Sequence, residues 1–148
     1  MNITIVAVGR ARQGPERAAY EHYAKRIRWP LRLREVPEDR RPSSSNDGKK
    51  LSRAVPAGAV VVALDERGDN LSSTQIAERL RGWRDDGTAE VAFVIGGADG
   101  LAADVRDSSE LVLSFGRVTW PHLLMRALLV EQIYRAQQIL DGHPYHHT

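Results

Sequence analysis

Cysteine is absent from this chain. Disulfide frameworks and thiolate chemistry are therefore excluded, and nothing points to an oxidising compartment. Long apolar runs are missing too. The longest, residues 57–64, falls far short of the roughly 20 residues that cross a bilayer. The opening MNITIVAVG has no basic stretch and too short an apolar core for a secretion signal, so a cytoplasmic protein is expected, without membrane contact. Lysine is scarce, found only at positions 25, 49 and 50, whereas arginine occurs 18 times. Internal repeats and low-complexity tracts are also lacking.

What remains is the composition of a soluble globular protein: 148 residues, 42% hydrophobic and 27% charged, enough for one domain with its own core. Net charge is only +2 but unevenly placed. Residues 1–53 hold 13 Lys/Arg against 6 Asp/Glu, and residues 54–148 hold 8 against 13. Arginine's planar fork suits phosphate oxygens and base stacking. A basic N-terminal third thus suits a phosphate- or RNA-facing surface, and it equally suits a solvated helix face.

The patterning is that of an α/β protein. Residues 2–8, 31–36, 60–64, 91–95 and 111–114 read as strands. Three of them (NITIVAV, VVVAL and VAFVI) lack alternation, the mark of a parallel sheet buried on both faces. Helices are expected from Pro15 to about Arg28, over residues 49–55, over residues 74–84, near residues 102–108, and from His122 to about Asp141. Ser72 and Gln75 form a capping box before the third of these. Residues 37–48, PEDRRPSSSNDG, carry no apolar anchor and are the candidate for a mobile loop. The last helix is apolar over most of its circumference from Leu123 to Tyr134, so one side is expected on the sheet and another on a second copy.

Three segments bear chemistry. Gly96-Gly97-Ala98-Asp99-Gly100 follows a buried strand, at the edge where open α/β sheets bind ligands; steric turn and ligand loop are both compatible with it. Ser114 to His122 joins the last strand to the last helix and suits either a plain connection around Trp120 or a wrap around a flat ring. The tail, His143-Pro144-Tyr145-His146-His147-Thr148, holds three histidines, but neither thiolate nor paired acid accompanies them, so no metal is expected.

In this order and at these spacings, these segments resemble the ribosomal RNA large subunit methyltransferase H family. The resemblance runs through Val6-Ala7-Val8-Gly9, Leu64-Asp65, Ile95 to Leu101, Thr119-Trp120-Pro121-His122 with Arg126, Tyr134-Arg135-Ala136 and Pro144-Tyr145-His146. It covers nearly the whole chain. It implies a SPOUT methyltransferase: one domain over residues 1–148, mostly parallel sheet with helices on both faces, and a trefoil knot within about 60–148. It further implies S-adenosylmethionine as methyl donor, an obligate homodimer, and methylation of N3 of a pseudouridine in helix 69 of 23S ribosomal RNA on the ribosome. By position, the cofactor-binding residues are Leu64, Gly96, Phe115, Gly116, Arg117, Val118, Thr119 and Trp120. The catalytic candidates are Arg135, Tyr145 and His146. Phe115-Gly116 and Trp120 depart from the family's Ser-Leu-Ser and smaller aliphatic residue, which touches cofactor affinity more than activity.

Methyl transfer needs the nucleophile on the sulfur–carbon axis and the imide proton removed. Histidine changes charge near neutrality, so His146 is the candidate acceptor. Arg135 is the candidate for charge stabilisation, and Tyr145 for stacking on the base or hydrogen bonding to its edge. Alternatives are a SPOUT enzyme acting on transfer RNA, a non-enzymatic ribosome-binding accessory protein, and a flavodoxin-like nucleotide binder.

Overall fold

The apolar, β-branched runs become the strands of one sheet in the computed structural model of the protein, which describes residues 1–40 and 44–147. In chain order the elements are β1 (Asn2–Val8), α1 (Pro15–Ala24), β2 (Leu31–Val36), α2 (Ser44–Ala54) and β3 (Val60–Asp69). There follow α3 (Ser73–Asp85), β4 (Glu90–Ile95), α4 (Ala103–Asp107), β5 (Leu111–Leu113) and α5 (His122–Leu140). The sheet order is β2-β1-β4-β3-β5, and every pairing is parallel. Parallel neighbours require crossovers, and the helices supply them on both faces, as the sequence pattern implies.

Successive side chains of a strand point to opposite faces, and both sets are apolar. On one face Ile3, Ile5 and Ala7 of β1 join Val62, Leu64, Phe93 and Ile95, under Ile76, Ala77 and Leu80 of α3 and Leu129, Val130 and Ile133 of α5. On the other, Val6 and Val8 join Ala63 and Val94, under Leu51 of α2 and Val105 of α4. The α5 helix lies between α1 and α3, so those two helices already cover part of its wide apolar girth.

The Ser72–Gln75 capping box forms in full: the Gln75 amide donates to Ser72 Oγ (3.1 Å) and the Ser72 amide to Gln75 Oε1 (2.8 Å). Other boundaries differ from expectation. The first helix stops at Ala24, where the bonds tighten to Arg26 N–Tyr23 O and Ile27 N–Ala24 O, although Ile27 still packs on the core. Within the stretch 37–48, residues 41–43 lie outside the described residues, and α2 is already helical from Ser44. Local turn-forming propensity gives way there to tertiary packing, because Leu51 is buried.

The third strand differs most. The apolar run predicts an end at Leu64, yet the strand continues past a register shift and pairs Asp69 with Leu113. The Ser114 amide donates to Asp69 O (2.9 Å). Gly68 makes the return possible, since a side chain there would collide with the Val112 carbonyl. Residues 65–68 therefore bulge out within β3 and form a wall.

Candidate active site

That wall, the turn after β4 and the connection after β5 enclose one cleft at the carboxyl edge of the sheet, about 610 Å³ in volume. Its floor is apolar: Leu64, Ile95, Leu101, Leu113, Phe115 and Met125 line it. Gly96 is held so close to Gly100 that a Cβ would sit 2.6 Å from the Gly100 carbonyl, which is why the turn can double back tightly beneath a ligand.

The connection after β5 is laced to the wall. Ser114 is buried, and its hydroxyl donates to Gly116 O (2.9 Å) while accepting from the Gly116 amide (3.1 Å). Thr119 Oγ1 donates to Glu66 Oε2 (3.0 Å), and the Trp120 indole N–H closes the loop onto Phe115 O (3.2 Å). Behind the wall, Asp65 pairs with Arg67 (2.9 Å) and Arg106 (3.6 Å). Burial alone would raise the Asp65 carboxyl, but the Arg67 hydrogen bonds outweigh it and hold the group below the usual carboxylate range. The polar residues 65–67 look like a strand boundary in the sequence, and only the pairing of Asp69 reveals them as part of the site.

Of the eight residues assigned to the cofactor by position, Leu64, Gly96, Phe115, Gly116, Val118, Thr119 and Trp120 line this cleft. Arg117 does not; it is exposed on the same loop. The three catalytic candidates are elsewhere. Arg135 stands 13 residues beyond His122 on α5, about 20 Å along the axis at 1.5 Å per residue.

There the candidates form a cluster around a residue the sequence did not single out, Glu131. Its Oε1 accepts from Arg135 Nη2 (2.6 Å) and from the Tyr145 hydroxyl (3.0 Å), and its Oε2 from Gln132 (2.7 Å). The Arg135 guanidinium lies 4.8 Å from the Tyr145 ring centre, and Tyr145 packs edge-on against Tyr134 at 4.9 Å. Burial, together with the bond to Glu131, pushes the Tyr145 phenol upward, so it stays a neutral donor. His146 Nδ1 lies 3.2 Å from Arg135 Nη1. A guanidinium only donates, so Nδ1 is the accepting nitrogen and the ring proton sits on Nε2. The tail is thus docked on α5 through Tyr145 and His146.

No group of three or more metal-ligating side chains occurs among the described residues, and none of their helices is long and apolar enough to cross a membrane.

Residues 1–146 match the family described as "Predicted SPOUT methyltransferase". A Rhodospirillum centenum protein called ribosomal RNA large subunit methyltransferase H is 55% identical over 151 residues, covering 99% of each chain. The protein of that name from Paramagnetospirillum magneticum is 50% identical over the same shares. Among solved structures, a probable methylase family protein from Haemophilus influenzae superposes with a TM-score of 0.63 at 13% identity, over 99% of this chain and 71% of that one; this likeness bears on the fold. On these grounds the chain belongs to the SPOUT methyltransferases and, within them, to the ribosomal RNA large subunit methyltransferase H family.

Proposed function

We propose that the protein methylates 23S ribosomal RNA from S-adenosylmethionine, at N3 of a pseudouridine in helix 69 on the ribosome, as a cytoplasmic homodimer of single-domain chains knotted within about 60–148. One observation carries this reading. The turn at 96–101 and the connection at 115–121, remote in sequence, meet in one cleft of a SPOUT chain.

The residues present fit the methyl donor. A volume of about 610 Å³ suits a nucleoside-sized ligand. Backbone groups around Gly96 and Gly116 can meet an adenine edge, the apolar floor can receive its faces, and Glu66 and Asp99 supply carboxylates for hydroxyl or ammonium groups. When bound, S-adenosylmethionine supplies an electrophilic methyl with a neutral thioether as leaving group. The rest falls to this chain. The cleft fixes the methyl carbon, and the apolar lining keeps competing water away.

The separation of cleft and tail cluster supports the dimer. In a twofold pair with antiparallel α5 helices, the His122 end of one copy meets the tail of the other. Arg135 and His146 of the second copy would then face the first copy's cleft. For N3 to act as nucleophile it must lose its proton, and the negative charge of the resulting imide anion spreads onto the flanking carbonyl oxygens. The Arg135 guanidinium and the His146 Nε2–H are donors suited to that charge, and the N3 proton leaves to solvent or, after the ring turns, to His146.

The test is mass spectrometry of 23S rRNA from a strain lacking this protein. One methyl group should disappear from a helix 69 pseudouridine and return on complementation. An unchanged helix 69, or loss of a methyl group from transfer RNA instead, overturns the reading.

A further inference from the structure

A second cavity, about 230 Å³, lies on the other side of the first turn of α5. His122 lines the cleft, whereas Leu123 and Arg126, one and four residues on, line this second cavity. Its outer rim is the segment between β1 and α1, with Arg10, Ala11 and Arg12, faced by Glu16, Arg17, Tyr20 and Glu21 of α1.

The segment is pinned at its middle by a buried charge. Arg126 is only 2% exposed. It donates to Val8 O (3.0 Å), Gly9 O (2.7 Å) and Glu35 Oε2 (2.7 Å), and the same Glu35 oxygen accepts the Ala11 amide (2.6 Å). None of these contacts serves the cleft. Their effect is to fix Ala11, so that Arg10 and Arg12 on either side are held out into solvent. Both are exposed, and neither forms an ion pair among the described residues. The acids nearby are mostly taken: Glu35 by Arg126, and Glu21 by Arg17 (2.9 Å). Glu16 stands in the first turn of α1, where the helix dipole favours it. Two guanidiniums two residues apart on one short segment can grip neighbouring phosphates of a chain.

We propose that Arg10 and Arg12 form a phosphodiester-binding lip, which holds the RNA backbone beside the cleft while the target base enters it. This rests on the reading of the protein as an rRNA methyltransferase. It adds a location for the backbone, next to the methyl donor across His122 and apart from the tail cluster.

The test is binding of the intact protein to large ribosomal subunits across a salt series. Each phosphate contact contributes about 0.7 to 0.9 to the slope of log K against log salt. Arg10→Ala/Arg12→Ala should lower that slope by about 1.4 to 1.8 and raise the KM for subunits, with S-adenosylmethionine affinity unchanged. The lysine pair should keep the slope, as should Arg79→Ala on α3. A wild-type slope and KM in the alanine pair overturn the proposal. So does a slope change that vanishes on protein-free rRNA, which would assign the lip to an acidic ribosomal protein. If the alanine pair fails to fold, phenylglyoxal labelling of the wild-type protein decides. Subunits should protect Arg10 and Arg12 but not Arg79, and equal reactivity of all three overturns the lip. Because the salt slope and the labelling read binding without turnover, a lip that fails is distinguishable from an enzyme that does not methylate rRNA.

Discussion

The Arg126–Glu35 pair sets the position of the segment after β1, and its strength can be bounded from its exposure. Glu35→Gln keeps the shape and the acceptor for the Ala11 amide but removes the charge. Arg126, 2% exposed, then keeps its acceptors but loses the carboxylate that pairs with its charge. Breaking a fully buried pair costs about 3–5 kcal/mol, and an exposed one about 0–1 kcal/mol. The Glu35 side chain is 31% exposed, so solvent screens the acidic end, and a cost of about 2 kcal/mol falls between the limits. For a domain of this size that corresponds to a Tm lower by roughly 4–8 °C. The pH dependence has a definite sign. Burial works to raise the Glu35 carboxyl, but the Ala11 amide and Arg126 prevail and hold it below the ordinary value. Its contribution is therefore complete above the unfolded value, about 4.3, and disappears as pH falls through the folded one. Urea unfolding at pH 7 should separate wild type from Glu35→Gln, and the gap should narrow as the medium is acidified below about pH 4.3. A gap that is absent at pH 7, or equally large in acid, refutes the electrostatic account.

Asp47 carries the opposite sign. It is 1% exposed and neither carboxylate oxygen has a hydrogen-bond partner; burial raises it, against the pull of Lys50. Ionisation therefore opposes folding as pH rises past the unfolded value, and Asp47→Asn should gain about 1 kcal/mol at pH 7 and nothing near pH 3, read from urea midpoints. At the cleft, Gly96→Ala puts a methyl group 2.6 Å from the Gly100 carbonyl, so the turn must open. Calorimetry should show S-adenosylmethionine binding weakened at least about tenfold, with secondary structure intact by circular dichroism.

The parts of the molecule that could be read in advance are those whose cause is local. A strand buried on both faces must be apolar at every position, so Val60–Leu64 and Val91–Ile95 announce themselves, and a capping box needs only Ser72 and Gln75. The return of β3 after Leu64 has no such local cause. It depends on Gly68 passing the Val112 carbonyl, a neighbour more than forty residues away, while Asp65, Glu66 and Arg67 look like the end of a strand. The same holds for α2, whose Ser-Ser-Asn-Asp-Gly start favours turns until Leu51 is buried. Glu131 is one acid among many on a long helix; only the docking of Tyr145 and the alignment of Arg135 make it a hub. Family resemblance points to what local patterns do not, a common site for Leu64, Gly96 and residues 115–120, and all of these except Arg117 line the one cleft. A backbone-mediated contact needs no side chain in the cleft, since position in the loop is shared even where side chains turn away. The two ends of α5 show the consequence for function. His122 lies at the cleft and Arg135 about 20 Å along the axis, so a single chain keeps the cleft and the tail cluster apart. On the function proposed above, the two would meet only across a pair of antiparallel copies, and dimerisation would be a condition of catalysis rather than an addition to it.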